Sequence, residues 1–184
     1  MTSSLQAQTP PELSIQHVTT ELSQSDLNDL CDATDAAIEQ GGGFGWTELP
    51  ARETLERYWQ GVIIMPLRDL FIARLDGVIC GTCQLITPPQ NNEAQSHIAH
   101  ITTHFVTPWA RKYGLARMLL HRAEKHAKSL GKTVINLDVR ATQRVAIRLY
   151  ESEGYDNYAT HPAYAYIDGS YVPGKFYTKI LDQV

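Results

Sequence analysis

The stretch FVTPWARKYGLARMLL, residues 105–120, sets the reading of this chain. It ends an apolar, β-branched run, HIAHITTHFV (97–106), and opens an amphipathic segment, RMLLHRAEKHAKSL (117–130). Between the expected strand and the expected helix lie Pro108, the basic pair Arg111 and Lys112, and Gly114, a bare residue where a helix should begin. A helix N-terminus carries unpaired N–H groups and partial positive charge, which suits a phosphate. Gly114 leaves room for close approach, and Ala116 keeps the next turn small. Arg111, Lys112 and Arg117 add charge-assisted contacts. The turn from Arg111 to Arg117, with Tyr113 and Leu115 inside it, reads as an anion cradle fitted to a diphosphate.

Strand and helix signals alternate around this turn. LSIQHVT (13–19) alternates as a strand, and Leu22, Leu27, Leu30, Ala33, Ala37 and Ile38 give 21–40 a near-helical spacing. Gly41, Gly42 and Gly43 stop that helix. A short helix is predicted over 50–61, with Pro50 at its start and Gly61 at its end. Asp76-Gly77 between two apolar runs predicts a hairpin over 69–86, followed by a polar loop at 87–95. The cradle helix covers 114–130, with Gly131 at its C′ position. A strand at 133–139, a helix at 143–152 and two strands about Asp168-Gly169 complete the order. The pattern predicts a single α/β domain over 13–184, preceded by a frayed or disordered segment, 1–12.

A chain of 184 residues suits one domain with a real core and is short for two. No run approaches the ~18 apolar residues of a membrane span, and the N-terminus lacks the basic and apolar regions of a signal peptide. The expectation is a cytoplasmic protein with no membrane partner. The net charge of −4 hides an asymmetry: residues 1–60 carry ten acids and two bases, whereas 111–148 carry ten bases and two acids. Such segregation points to one region meeting an anion and another meeting a cation. Nucleic acid is not the expected partner, because the whole chain is acidic and aromatics do not interleave with the basic run.

Three cysteines are too few for a disulfide framework. Cys80 and Cys83 form a C-x-x-C, but the alternation around them says strand, which sends the sulfurs to opposite faces. No second pair exists and no helix start follows, so these read as buried structural thiols. Two nucleotide motifs fail on spacing. GGGFGW (41–46) follows a helix and lacks the G-x-G-x-x-G order, and GKT (131–133) precedes a strand, with His126 in place of the first P-loop glycine.

The run 105–120 resembles the acyl-CoA pyrophosphate motif of the GNAT superfamily of N-acyltransferases, Q/R-x-x-G-x-G/A, matched at Arg111, Gly114 and Ala116. LDVRATQRVAIRLYESEGY (137–155) resembles the second family motif, a strand followed by N-x-x-A-I-x-L-Y-x-x-x-G-F/Y. Order and spacing agree, and the likeness extends over about residues 13–181. One position departs: Gln143 stands where the family has a cofactor-contacting asparagine.

The resemblance implies a mixed, mostly antiparallel central sheet flanked by helices, with acetyl-CoA as co-substrate and no metal. It also implies attack of an amine on the thioester through a tetrahedral oxyanion. Backbone N–H groups near Phe105 and Val106 would bind the pantetheine and polarise the carbonyl. Tyr150 matches the family tyrosine that protonates the leaving thiolate. For the base, His100 and His104 share a strand face with Thr102 in regular alternation. His100 falls at an offset comparable to the strand histidines of arylalkylamine-type enzymes and is the expected base. Glu93, His104 and a water chain are the alternatives. A metal pair at His100 and His104 lacks a third ligand.

In this family the acceptor pocket is shaped by the segment after the first strand, the loop before the 97–106 strand and the final hairpin. Here the first supplies Phe44, Trp46, Tyr58 and Trp59 among ten acids, and the last supplies Tyr164, Tyr166 and Tyr171. Rings and carboxylates together suit a cationic amine. The expected function is acetyl transfer to a primary amine of a small cationic molecule. A protein N-terminal or lysine amine is the alternative within the class, and a non-catalytic acyl-CoA sensor the alternative outside it. A homodimer stays open.

Overall fold

The computed structural model describes residues 10–41 and 44–181. The elements run β1 (Leu13–Val18), α1 (Gln24–Glu39), α2 (Arg52–Ile64), β2 (Arg68–Leu75), β3 (Val78–Ile86), β4 (Ile98–Val106), α3 (Leu115–Ser129), β5 (Val134–Arg140), α4 (Arg144–Ser152), β6 (Asp156–Ile167) and β7 (Ser170–Ile180). All strands join one sheet in the order β1-β2-β3-β4-β5-β7-β6. Every pairing is antiparallel except that of β4 with β5. The expected α/β class and mixed, mostly antiparallel sheet are both present. Among the described residues no helix is long and apolar enough to cross a membrane.

Helices cover both faces of the sheet, so β2 can be apolar on both sides. Leu70 and Ile72 pack with Leu30, Leu55 and Trp59 of α1 and α2. Phe71 and Ala73 pack with Leu119, Leu120 and Ile147 of α3 and α4. The strand period of two divides consecutive residues between the two cores. Ser23 caps α1, its hydroxyl accepting the Asp26 N–H at 3.1 Å.

Some boundaries move for identifiable reasons. α2 runs past Gly61, because Val62 is buried, and stops at Met65, which is extended as the residue before Pro66. Glu12 falls in the segment expected to fray, yet its N–H donates to Asp76 Oδ1 at 2.8 Å and its carbonyl accepts the Asp76 N–H at 2.9 Å. The rest of that segment up to Thr9, and the helix stop at Gly42 and Gly43, lie outside the described residues.

Two β-bulges alter the faces that alternation assigns. On β3, Ala73 pairs with Gly81 but Arg74 pairs with Ile79, so Cys80 is an extra residue. Cys80 therefore joins Cys83 in the core beneath α3, and the two sulfurs do not face opposite ways. All three cysteines are free and buried. Burial pushes the Cys31 and Cys80 thiols up to about 11 and Cys83 higher still. On β4, Thr82 pairs with Phe105 but Gln84 pairs with Thr102, so Thr103 and His104 together oppose Cys83. Thr103 takes φ 50°, and the Thr82 hydroxyl donates to its carbonyl at 2.7 Å.

Candidate active site

The parallel pairing of β4 and β5 covers only Ile98–Ile101 against Val134–Leu137. β4 stays paired to β3 as far as Val106, so from Thr102 onward it parts from β5 and a cleft opens. Both strands end at that cleft, α3 follows the first and α4 the second, and the N-termini of both helices stand at its mouth. Ligands bind outside the carboxyl ends of parallel strands for this reason.

Gly114 is the N-cap of α3, with φ 80° and nothing within 4 Å of where a Cβ would sit. The first bond of the helix runs from Met118 N–H to the Gly114 carbonyl at 3.1 Å, leaving the amides of Leu115, Ala116 and Arg117 without an intrahelical acceptor. Lys112 also takes a left-handed φ, 76°. Such backbone on a non-glycine residue is strained. Arg111 and Ala116 line a cavity of about 310 Å³ that passes Phe105 and Val106 and reaches Tyr150.

The remaining cradle residues divide. Lys112 and Tyr113 are exposed, and Leu115 is a core residue whose contribution is limited to its amide. The Arg117 guanidinium is paired with Glu153 at 2.5 Å, and His121 holds the other oxygen of that carboxylate. His121 and Arg117 hold Glu153 below the usual carboxylate range. Gln143 is the N-cap of α4 and borders the cavity, but its side-chain N–H donates to the Gly41 carbonyl. Arg144, absent from the sequence reading, lines the same cavity. A cation in the first turn of a helix opposes the helix dipole, and that was the legible signal.

The bulge at Thr103 turns His104 toward α3 and α4, away from the face that regular alternation would share with His100. His104 Nε2 lies 2.9 Å from the Ala116 carbonyl and Nδ1 lies 3.1 Å from the Tyr150 hydroxyl. A carbonyl only accepts, so Nε2 carries the proton, and the phenol donates to the bare Nδ1. Burial pushes His104 down to about 4, against the Ala116 carbonyl, which favours the charged form. The ring is neutral at pH 7. Burial likewise raises Tyr150, whose hydroxyl keeps its proton. His100 is exposed, sits in the regularly paired half of β4, and does not join this pair. Glu93 is exposed in a short turn, Glu93–Gln95.

A larger cavity, about 550 Å³, lies on the other side of His104 and Tyr150. Its walls include Phe44, Asp138, Arg140, Tyr164 and Tyr166. The Tyr164 hydroxyl donates to Asp138, and the Arg140 guanidinium donates to the Phe44 carbonyl. None of the ten acids of residues 1–60 lines it. Asp26 is paired with Arg74 at 2.7 Å, Asp32 with Arg52 at 2.6 Å, and Asp29 accepts the Ile79 N–H at 3.2 Å. Trp59 is core, its indole N–H on the Thr34 hydroxyl at 3.0 Å, and Tyr171 is exposed.

Residues 31–155 match the family described as acetyltransferase (GNAT) family. An uncharacterized N-acetyltransferase from the hisH-hisA intergenic region of Azospirillum brasilense is 55% identical over 133 residues, 72% of this chain and 79% of the relative. A putative acetyltransferase of Salmonella typhimurium, solved with acetyl-CoA, superposes with a TM-score of 0.75 at 17% identity, covering 94% of this chain and 96% of the other. A ribosomal-protein-alanine N-acetyltransferase of Brucella melitensis gives 0.75 at 21% identity, over 91% and 99% of the two chains.

Proposed function

The chain belongs to the GNAT family and is an N-acetyltransferase that uses acetyl-CoA; from that premise we propose that its acceptor is the primary amine of a small cationic molecule. One observation carries the reading: two cavities of different character meet at the Tyr150–His104 pair. The smaller has basic side chains and free helix amides, and the larger has rings, the Asp138 carboxylate and the Arg140 guanidinium, which is held on the Phe44 carbonyl.

Acetyl-CoA supplies an activated acyl group, and its diphosphate fits the amides at the start of α3, flanked by Arg111 and Arg144. Phe105 and Val106 offer unpaired strand edge to the pantetheine arm where β4 leaves β5. In the larger cavity Asp138 and the faces of Phe44, Tyr164 and Tyr166 attract a cation and orient its amine. A volume of about 550 Å³ suits a small molecule. Tyr150 stands between the two substrates. The amine nitrogen bonds to the acyl carbon as the C–S bond breaks. The Tyr150 hydroxyl gives its proton to the departing sulfur and takes one from the attacking nitrogen, so the phenol ends unchanged. His104 is a positioning residue that holds the hydroxyl at that boundary. The base expected at His100 passes, in this reading, to this pair.

Thiol release from acetyl-CoA across a panel of small cationic amines, neutral amines, amino acids and peptides tests the reading. A small cationic amine should have the highest kcat/KM, by ~10-fold over its neutral isostere. Preference for peptides would move the acceptor to protein amines. CoA binding with no release across the panel would favour the sensor.

A further inference from the structure

A second cluster lies beneath the far end of α3. His17 of β1 pairs with Phe71 of β2, so Asp69, two residues from Phe71 along β2, emerges on the same face. His126 comes down from the last turn of α3 onto that face. His17 Nε2 is 2.8 Å and His126 Nε2 is 3.2 Å from the same oxygen, Asp69 Oδ1. All three ligand atoms lie within 4.8 Å of one another.

We propose that His17, Asp69 and His126 form a zinc-type metal site, with a fourth position left to water, that clamps the edge strand β1 to β2 and α3. Ligands at ~2.0–2.1 Å from a tetrahedral ion stand about 3.3 Å apart; the His126 separation of 3.2 Å is at that value, and His17, at 2.8 Å in hydrogen-bond contact, would move out by about 0.5 Å. The imidazole ring centroids are 4.6 Å apart and the planes are tilted by 57°, and both Nε2 atoms meet Asp69 Oδ1. The fully buried Phe71 fixes both rings, stacked on His17 at 4.8 Å and edge-on to His126 at 5.5 Å. Each imidazole side chain is 18% exposed and Asp69 25%, so the site is backed by core and open on one side. Two imidazoles and one carboxylate are the donor set of zinc rather than of magnesium or calcium. Spacing in the chain could not show it, because the ligands come from three distant segments.

His126 lies ten residues beyond Ala116, about 15 Å along the helix, so the clamp stands apart from acetyl transfer. The experiment uses the untagged full chain, stripped with a chelator and titrated with Zn²⁺ or Co²⁺. One equivalent should bind, and Zn²⁺ at ~100 times its Kd should raise Tm by about 5–10 °C. Co²⁺ should give the visible bands of a tetrahedral ion, without the near-ultraviolet charge transfer of a thiolate ligand. Asp69→Asn, which keeps the side-chain shape, and His126→Gln should each weaken binding by ~10²-fold and leave kcat/KM for acetyl transfer unchanged. Absence of stoichiometric binding to the wild type would overturn the site and leave a hydrogen-bonded cluster only. Equal affinity in both variants would overturn it as well. Should a variant fail to fold, the Co²⁺ spectrum of the wild type decides.

Discussion

The two halves of β4 have the same kind of sequence and different fates. Ile98–Ile101 is paired to β5 throughout and to β3 at His100 and Ile101, and its histidine, His100, is exposed to solvent. Thr102–Val106 carries a bulge, has lost β5, and turns its histidine, His104, inward onto Tyr150. Regular pairing satisfies the backbone and leaves nothing for a ligand. Broken pairing leaves donors free and re-aims a side chain. The chemistry collects where the sheet is imperfect.

The largest effect is expected at the helix entry that faces the broken half. Gly114→Val places a β-branched residue at φ 80° in the cradle. Left-handed strain and lost amide contacts together should weaken CoA binding by ~10³-fold. Calorimetric titration of the folded variant reads this directly. CoA affinity within a few-fold of wild type would break the assignment of the cleft to the cofactor.

Next comes the residue between the cavities. Tyr150→Phe should slow turnover by ~10²-fold and leave CoA affinity within a few-fold. Intact turnover would reduce Tyr150 to a packing role.

The two histidines test the comparison itself. His104→Phe keeps the ring and removes both hydrogen bonds, and kcat should fall by ~10-fold. His100→Ala should change it by less than ~2-fold. The pH profile sharpens this. His104 is held neutral down to about 4 in the fold, against a usual value of 6.5. Below pH 6.5 the unfolded chain takes up a proton that the native ring refuses, so unfolding draws in protons and stability falls with pH. The loss runs from pH 6.5 to about 4 and is complete below the folded value. His104→Phe should flatten that slope in denaturant titrations. A kcat/KM limb between pH 6 and 7 that vanishes in His100→Ala would instead return the base to His100.

How much of this was legible follows from the same contrast. The glycine at the entry to α3 was, because a glycine at a helix start and a basic turn are properties of one segment. The hairpins were too, since Asp76-Gly77 and Asp168-Gly169 all take the positive φ that such turns need. The bulges were not. Nothing in ITTH (101–104) or ICGT (79–82) departs from alternation, and an extra residue is defined only against the partner strand. His104 was therefore grouped with His100, and Cys80 was set opposite Cys83. The acidic segment misled for a related reason. Asp32, Asp26 and Asp29 are taken up by Arg52, Arg74 and a backbone amide, and Arg74 and that amide come from β2 and β3. The carboxylate that does reach the cavity, Asp138, sits within the basic segment.

The smallest effect should appear in the acceptor cavity, at a position that touches no substrate. Gly174 of β7 lies beneath the Tyr164 ring, and a Cβ there would overlap it. β6 breaks register between His161 and Ala165, which is where Tyr164 lies, so the ring is held by Gly174 from below and by Asp138 at its hydroxyl. Gly174→Ala should lift the ring and release Asp138 from it, while β7 keeps its pairing with β5. A cation would then lose one aromatic wall, worth ~0.5–1 kcal/mol at a partly exposed site. Acceptor KM should rise by ~3-fold, with kcat and CoA affinity unchanged. Tyr164→Leu should raise it similarly, and Gly174→Ala in that background should add nothing, because the clash has been removed. An additive double variant would mean that Gly174 acts on the sheet and not through Tyr164, and that the closing hairpin does not shape the acceptor site.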